Sequence, residues 1–441
     1  NESLGDGGGV LIAGNTVINN LTITGNEASA SGGGIVVWHF ATQATISISD
    51  TQITDNQASS GGGFFSSSSA TRLELIDSVI ADNTAHSQGG GISMARDGVL
   101  PSGTRAVDIR GSQIVGNSSR GAAGIYLNIG ANPNGEVVAN IESSMISGNK
   151  AVSPGSAYAG NGIRARIRSL SITDTLFESN DGTGVSVQGF TTSGSEFLMA
   201  DSEIRHNGRG MDLRDLASTL TDTTIAGNAG DGVRKHLGTL TVTGGIVSDN
   251  YGRGIYSELG SLAVIGATIS GNNAGDNQPS GGIFSTGMLS VHSSIISANF
   301  SGTGGGIFQQ PLAPWQITAS TIADNSAAIS GGGIFTNGPV TIVDSEVLRN
   351  TAQDSGGGIA SLGSTVNLLR SVVANNSAQG RSGGGIWGTT VNIVESSIAN
   401  NTAMTTGGGV HTTGVIDVQR SSIANNQASQ VGGGLYSSNS S

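Results

Sequence analysis

The sequence predicts an all-β fold: a right-handed, single-stranded parallel β-helix solenoid of about 16–17 coils with three short strands per coil. Two observations lead to this class. The segment at 340–360, VTIVDSEVLRNTAQDSGGGIA, returns throughout the 441-residue chain with a mean repeat of about 27 residues. Glycine is abundant, with 72 residues, and proline is scarce, with 7, without a Gly-X-Y period, which excludes collagen and favours tight turns.

Each coil is anchored on one asparagine. The third residue before it, such as Val347 before Asn350, is apolar and almost always β-branched, and the eighth, such as Ile342, is also apolar. This spacing predicts two strands with inward-facing alternate residues. The equivalent asparagines are Asn1, Asn26, Asn56, Asn83, Asn117, Asn149, Asn180, Asn207, Asn228, Asn250, Asn272, Asn299, Asn325, Asn350, Asn376, Asn401 and Asn426.

Two corners and a third strand complete the predicted coil. A Ser or Thr five residues before the asparagine, such as Ser345, marks a corner whose hydroxyl can bond its copy in the next coil. The asparagine is expected to form the next corner, because Asn tolerates the left-handed region and its amide both donates and accepts. The third strand follows the glycines, as at Ile359, and parallel stacking with right-handed crossovers gives three sheets.

A single β-helix domain is expected over residues 1–441, with regular coils at 1–148 and 273–441 and irregular coils at 149–272. The distance from the asparagine to the third strand shortens after Asn180, Asn207, Asn228 and Asn250, which predicts a notch. Insertions follow Asn149 and Asn272 and occupy the stretch from Arg96 to Arg105, and we expect them to form loops on one face. Because the chain begins at a repeat asparagine, we expect it to be a portion of a longer protein.

Composition narrows the class of partner. The net charge of −12 disfavours nucleic acid and anionic membrane surfaces, and the absence of cysteine excludes disulfides and thiolate metal sites. No apolar run approaches the roughly 20 residues that span a bilayer. An acidic chain rich in Thr, Ser, Asn and Gly is typical of secreted bacterial proteins, so an extracellular or cell-surface location is expected.

Basic residues concentrate beside the predicted notch, since ten of the 19 lie between Lys150 and Arg253. In this region the outward-facing residues of the third strands are mostly charged. They are expected to form one patch that binds an anionic sugar or a carboxylate. The alternative is a solvated face with ion pairs between coils, such as Asp212 with Arg234. The candidate ligand-binding residues are Arg164, Arg166, Arg168, Asp212, Arg214, Arg234, His236, Tyr256 and Glu258.

An aromatic column occupies the outward position next to the third-strand aliphatic residue. Such a column favours either a surface for sugar, protein or lateral assembly, or self-stacking under the neighbouring loops. Its candidate residues are Tyr256, Phe284, Phe308, Phe335, Trp387 and Tyr436.

The two signatures of the repeat, IxxN and GGGI, resemble the FxxN and GGA[ILV] signatures of the polymorphic outer-membrane protein repeat. That family is similar in fold to the β-helical passengers of autotransporters, which are cell-surface adhesins. More broadly, the chain resembles pectate-lyase-like β-helices, in which an asparagine ladder also occurs at a coil corner.

The second resemblance implies a base and a charge-stabilising group, and Arg214, Arg234, His236 and Glu258 have suitable side chains. Asp174, Asp201 and Asp222 are expected to stack in successive coils, either as a Ca²⁺ site or as water-exposed corners. No other cofactor is expected.

Taken with the residues, these resemblances favour an extracellular bacterial surface β-helix with a structural or adhesive role: an adhesin, stalk or filament subunit. Its expected partners are a host or neighbouring surface, a polysaccharide or further copies of itself. The alternatives are a polysaccharide lyase, hydrolase or epimerase, and a carbohydrate-binding module without catalysis.

Overall fold

The computed structural model describes residues 1–38, 44–67, 71–96, 105–129, 138–152, 160–190, 194–310 and 314–438. The chain forms two compact units, Asn1–Ala229 and Gly230–Ser441. Both units consist of short parallel strands, and the described residues contain no helix. The boundary between the units lies inside the predicted irregular region, and the single-domain assignment stays a prediction.

A regular coil contains the three predicted strands and one more. In the coil around Asn350 they are Val340–Val343, Glu346–Leu348, Thr351–Ala352 and Ile359–Ser361. We call them the first, second, corner and third strands. The sequence did not predict the corner strand, because two residues are too few to show an alternating pattern. Its signal is the small residue two positions after the asparagine, and Ala352 is fully buried.

In the unit Asn1–Ala229, the first strands are Thr16–Asn19, Ala44–Ser49, Thr71–Ile76, Arg105–Arg110, Val138–Glu142, Ser169–Thr173, Glu196–Ala200 and Ala217–Thr221. The second strands are Thr22–Thr24, Gln52–Thr54, Val79–Ala81, Gln113–Val115, Met145–Ser147, Leu176–Glu178, Glu203–Arg205 and Thr224–Ala226. The corner strands are Glu2–Ser3, Glu27–Ala28, Gln57–Ala58, Thr84–Ala85, Ser118–Ser119 and Lys150–Ala151. The third strands are Val10–Ile12, Ile35–Val37, Phe64–Ser66, Ile92–Arg96, Ala122–Ile129, Asn161–Arg166, Thr183–Gln188 and Arg209–Arg214.

In the unit Gly230–Ser441, third and first strands merge in Val233–Thr243 and Ile255–Ile265, and the separate first strands are Met288–His292, Trp315–Thr318, Val340–Val343, Thr365–Leu369, Thr390–Val394 and Ile416–Gln419. The second strands are Ile246–Ser248, Thr268–Ser270, Ile295–Ser297, Thr321–Ala323, Glu346–Leu348, Val372–Ala374, Ser397–Ala399 and Ser422–Ala424. The corner strands are Asn273–Pro279, Phe300–Thr303, Ser326–Ala327, Thr351–Ala352, Ser377–Ala378, Thr402–Ala403 and Gln427–Ala428. The remaining third strands are Ile283–Ser285, Ile307–Gln309, Ile334–Thr336, Ile359–Ser361, Ile386–Gly388, Val410–Thr412 and Leu435–Ser437.

Equivalent strands pair in parallel and in register from coil to coil. Val340 lies beside Val366, Val347 beside Val373, and Ile359 beside Ile386. The inward residues Val340, Val347 and Ile359 are fully buried. Each unit therefore has a continuous aliphatic core one side chain thick, as predicted for a parallel β-helix.

The left-handed residue at each corner lies one position earlier than expected. Positive φ angles occur at Asp344, 50°, and Arg349, 51°, immediately before Ser345 and Asn350. The expectation that the asparagine itself is left-handed is wrong. The left-handed residue turns the chain with its own side chain toward solvent, and the following Ser or Asn side chain then enters the interior.

Interior side-chain ladders fix both corners. Within each unit, a ladder asparagine donates through its backbone N–H and Nδ2 to Oδ1 of the asparagine one coil later, and Asn325 does so to Asn350 at 3.0 Å in both cases. Nδ2 of Asn350 also donates to the carbonyl of Ile322 at 2.9 Å. At the serine corner, the N–H of Ser320 donates to Oγ of Ser345 at 3.1 Å. These contacts satisfy buried backbone groups that the strands leave unpaired.

The glycines of the GGG loops are required where the loop packs on the third strand. Gly356 has φ +66°, and a Cβ there would lie 2.5 Å from the carbonyl oxygen of Ile359. A Cβ on Gly357 would lie 2.5 Å from the carbonyl oxygen of Gly384 in the next coil. A side chain at Gly356 would distort the loop within its own coil, and one at Gly357 would force the coils apart.

Both units contain short coils, and these coils lack the corner strand. In the first unit, the coils after Asn180 and Asn207 pass almost directly into Thr183–Gln188 and Arg209–Arg214. In the second unit, the coil after Asn250 does the same into Ile255–Ile265, and the corner sheet begins at Asn273–Pro279. The insertion after Asn272 is therefore a strand rather than a loop. The insertions after Asn149 and near Arg96 fall largely outside the described residues.

A buried polar column at the end of the third strand was not predicted. In the second unit these inward residues are fully buried. Among them, Thr336 donates through Oγ1 to the carbonyl of Gly338 at 2.7 Å and accepts from the N–H of Gly338 at 3.1 Å. The hydroxyl thus satisfies the turn into the next first strand. The column comprises Lys235, Ser257, Ser285, Gln309, Thr336, Ser361 and Thr412.

Candidate functional site

A groove lies on the outward face of the third strands in the first unit. Strand pairing places Tyr126, Arg164, Ser186 and Asp212 in one lateral row across four coils. A parallel row two residues further along the strands contains Asn128, Arg166, Gln188 and Arg214. The rows arise because side chains alternate across a strand, so Ile163 and Ala165 face the core while Arg164 and Arg166 face outward.

The three guanidinium groups of this groove are held by different contacts. Arg214 makes a bidentate pair with Asp212, with Nε to Oδ1 at 3.0 Å and Nη2 to Oδ2 at 2.8 Å. The guanidinium carbon of Arg164 lies 5.9 Å from the ring centroid of Tyr126, and that of Arg166 lies 5.1 Å from Phe190. Cation–π contact and bidentate pairing both restrict the side chain, so the groove presents positioned cations.

The space enclosed by these residues is about 160 Å³, and it is lined by Tyr126, Asn128, Arg164, Ala165, Arg166, Ser186, Val187, Gln188 and Arg214. It is smaller than the roughly 300–1,000 Å³ typical of small-molecule sites. It lacks a carboxylate among its lining residues and offers guanidinium, amide, hydroxyl and phenol groups. This set suits acidic and hydroxyl groups of an extended ligand more than an enclosed compound.

The predicted residues of the second unit lie close to one another. Nδ1 of His236 lies 2.8 Å from Oε2 of Glu258, and the His236 ring meets the Tyr256 ring edge-on at 6.0 Å between centroids. The guanidinium of Arg234 lies 5.4 Å from the Tyr256 ring. Nε2 of His236 is buried, and no described residue bonds it. A ligand on the surface therefore does not reach this nitrogen in the observed geometry.

Arg253 anchors that cluster to the neighbouring insertion. Its guanidinium lies 4.8 Å from the Tyr256 ring and 5.2 Å from the Phe284 ring, and Nη2 donates to Oε1 of Gln278 at 2.7 Å. Burial lowers the pKa of Arg253 from its ordinary value. Burial, reinforced by the Glu258 carboxylate, raises the pKa of the Tyr256 phenol, which keeps it neutral near physiological pH. The contacts tie the strand Asn273–Pro279 to the third-strand face.

The aromatic column is a stack whose ring faces cover one another. The stack contains, in order, Tyr256, Phe284, Phe308 and Phe335. Successive ring centroids are 5.0, 5.4 and 5.1 Å apart, and the corresponding interplanar angles are 10°, 14° and 10°. The column is broken by Ala360, and Tyr436 lies 5.1 Å from His411 beyond Trp387. Because the stacked faces are occupied, this geometry supports self-stacking more than sugar binding.

The three candidate calcium ligands occupy exposed left-handed corners. Asp174, Asp201 and Asp222 have φ angles of 46°, 48° and 45°. Oδ2 of Asp174 accepts from Oγ of Ser143 at 2.9 Å. Among the described residues, no group of three or more His, Asp or Glu side chains is arranged to hold a metal ion. Calcium binding therefore receives no structural support here and stays a prediction.

The residues of the predicted patch are divided between the two units, and the prediction of a single patch stays a prediction. Arg164, Arg166 and Arg214 line the groove of the first unit, and Arg168 lies just past the strand Asn161–Arg166. Asp212 pairs with its own neighbour Arg214. Arg234, His236, Tyr256 and Glu258 belong to the second unit. The sequence did not assign Tyr126, Asn128, Gln188, Phe190 or Arg253 to the ligand patch, although the register of third strands would have indicated the first three.

Residues 123–296 match the family model described as a right handed beta helix region. Together with the parallel coils, this match shows that the protein is a right-handed parallel β-helix, as predicted. No curated protein matches the chain. Within the described parts of the chain, no helix has the length and apolar character needed to cross a membrane.

Proposed function

We propose that this right-handed parallel β-helix is an extracellular surface protein with an adhesive role, and that its first unit binds an acidic polysaccharide. The observation that carries the proposal is the groove containing Arg164, Arg166 and Arg214 on the third-strand face. A chain with net charge −12 repels polyanions in general, so a local set of positioned guanidinium groups is a specific attraction.

The chemistry of the groove matches this ligand class. Guanidinium groups bind carboxylate or sulfate through paired N–H donors, while Asn128, Ser186 and Gln188 offer partners for hydroxyl and amide groups. The lining residues span four successive coils, which accommodates a portion of a polymer. Its residues include no carboxylate or histidine to act as a general base, so binding without catalysis is the function we infer.

The test is the affinity of the protein for polygalacturonate, measured by isothermal titration calorimetry, with cellohexaose as the neutral control. We expect the double variant Arg164→Gln, Arg166→Gln to bind at least about tenfold more weakly, since each charge-assisted contact is worth about 1.5–3 kcal/mol. Higher ionic strength should weaken wild-type binding in the same direction.

The matched control is Arg349→Gln, which removes an exposed arginine paired with Asp324 at 2.8 Å in the second unit. It should leave the affinity unchanged. Equal losses in both variants, or binding of cellohexaose as tight as that of the polyanion, would contradict the proposed groove.

A second function, polysaccharide cleavage, is favoured only by the pairing of His236 with Glu258 beside Tyr256 and Arg234, and it requires the buried Nε2 of His236 to become exposed to the substrate. A carboxylate–histidine pair is a common acid–base arrangement. Release of new reducing ends or unsaturated products from polyuronates would support it, provided that His236→Gln abolishes the activity. Flat progress curves with and without Ca²⁺ would remove it.

A further inference from the structure

The outer row of the groove has an alternating composition. From coil to coil it reads Asn128, Arg166, Gln188, Arg214, so that an amide and a guanidinium follow each other twice. All four side chains line the same groove. Since adjacent parallel strands are about 4.8 Å apart, the two guanidinium positions recur at about 9.6 Å along the coil direction.

From this row we infer that the groove reads a linear polysaccharide that presents one acidic group to the protein at every second sugar, with an uncharged polar group between. The inference rests on the proposed function and specifies its substrate class. In an extended, equatorially linked chain, each pyranose ring advances by a distance slightly longer than the coil spacing of about 4.8 Å. A ligand lying along the row therefore places successive sugars opposite successive coils.

Each side chain of the row then meets a matching group. Arg166 and Arg214 face acidic groups, and Arg214 is aimed by its bidentate pair with Asp212, which is only 5% exposed. The amides of Asn128 and Gln188 donate to and accept from hydroxyl or acetamido groups of the intervening sugars. The inner row supplies the phenol of Tyr126 and the guanidinium of Arg164 at one end of the groove.

Two ligand sources share this chemistry. In an alternating copolymer such as hyaluronan, every second sugar is a uronate. In polymannuronate every sugar is a uronate, but alternate carboxylates face opposite sides of the two-fold chain, so one side shows an acidic group at every second sugar. Hexasaccharides of both polymers, with cellohexaose as the neutral chain, distinguish the sources.

The experiment measures the affinity of the full chain for these three hexasaccharides before and after Gln188→Arg, with Gln113→Arg as the matched control. Gln188 is exposed on the groove, and Gln113 is exposed on a second strand of the same unit. The same change therefore adds the same charge at both places. Both sites tolerate a long side chain, so folding is preserved.

We expect the wild type to prefer an acidic hexasaccharide over cellohexaose by at least about tenfold, and Gln188→Arg to weaken that binding severalfold. The new guanidinium would crowd Arg166 and Arg214, each about 4.8 Å away, and it would face an uncharged sugar. Gln113→Arg should leave the affinity unchanged.

If Gln188→Arg strengthens binding to the acidic hexasaccharides, the row responds to total charge and the alternating specificity is wrong, while the proposed function stands. If the wild type binds neither acidic hexasaccharide more tightly than cellohexaose, the proposed function itself fails. A tetrasaccharide carrying two acidic groups should also bind about tenfold more tightly than the disaccharide, because it spans both arginines.

Discussion

At the scale of single residues, the ladder asparagines carry more hydrogen bonds than any other repeated side chain. Oδ1 of Asn350 accepts from the N–H and Nδ2 of Asn325, and its Nδ2 donates to the carbonyl of Ile322 and to Asn376. Asn350 is fully buried, so solvent does not replace these hydrogen bonds when the side chain is removed.

We therefore predict that Asn350→Ala lowers the free energy of unfolding by about 2–4 kcal/mol, because buried donors and an acceptor lose their partners. Chemical denaturation followed by circular dichroism measures this change. Asn277→Ala, at an exposed position, is the control and should change stability by less than about 0.5 kcal/mol. Similar losses in the two variants would contradict the assigned role of the ladder.

His411 is a second residue whose environment should affect stability, through the pKa of its side chain. Its Nδ1 lies 2.8 Å from Oγ1 of Thr406, and burial lowers the pKa of its imidazole below the ordinary value of about 6.5. The folded state thus binds the proton more weakly than the unfolded state. The stability present above the unfolded pKa is lost as the pH falls through the lowered folded pKa.

The corresponding prediction concerns the pH dependence of stability. Between about pH 7.5 and about pH 5 the unfolding free energy should decline, and His411→Gln should make this decline smaller. Urea titrations at several pH values provide the measurement. An identical decline in the variant would show that His411 does not contribute.

At the scale of elements, the aromatic stack joins third strands that share only short backbone ladders. Phe308 lies between Phe284 and Phe335, with centroids at 5.4 and 5.1 Å. The strand Ile307–Gln309 has three residues, so the stacked rings add substantially to its contact with both neighbours. The stack is therefore a structural element of the second unit.

Phe308→Ala should lower the unfolding free energy by about 3 kcal/mol, at the low end for buried phenylalanine because the ring is partly exposed. Phe308→Leu, which keeps apolar area but loses the ring, should cost about 1 kcal/mol. Thermal unfolding ranks the variants. Leu362→Ala, at a side chain that is 55% exposed, is the control, and a loss there equal to that of Phe308→Ala would contradict the stacking role.

The elements also show how far sequence predicts this fold. Periodicity predicted the first, second and third strands, because each places aliphatic residues at fixed distances from the asparagine. It did not predict the corner strand Thr351–Ala352, since two residues carry no periodic signal. It assigned the left-handed conformation to Asn350 instead of Arg349, because both residue types are polar and only the backbone path decides which one turns.

The candidate site was predicted in part for a related reason. Arg164, Arg166 and Arg214 stand out as charges at outward positions of irregular coils. Tyr126 and Asn128 belong to a regular coil, so they join the groove only through the register with Arg164 and Arg166. Phe190 contacts Arg166 from beyond the end of its strand, and such a contact depends on the path of the turn rather than on spacing.

At the scale of the whole molecule, the distribution of charge differs from what the net charge suggests. The chain carries −12 overall, yet its first unit presents arginines along one face. In the second unit, several exposed arginines are paired one coil back with an acid, as Arg370 is with Asp344 at 2.7 Å. These pairs neutralise the charge of the arginines, as Asp212 does for Arg214 in the first unit, and the guanidinium groups of Arg164 and Arg166 contact aromatic rings.

The most direct test of this account is a crystal structure of the protein with an acidic hexasaccharide. We predict density for the sugar along Asn128, Arg166, Gln188 and Arg214, with acidic groups at the two arginines. Sugar density confined to the aromatic column of Tyr256, Phe284, Phe308 and Phe335, with the groove empty, would contradict the central claim.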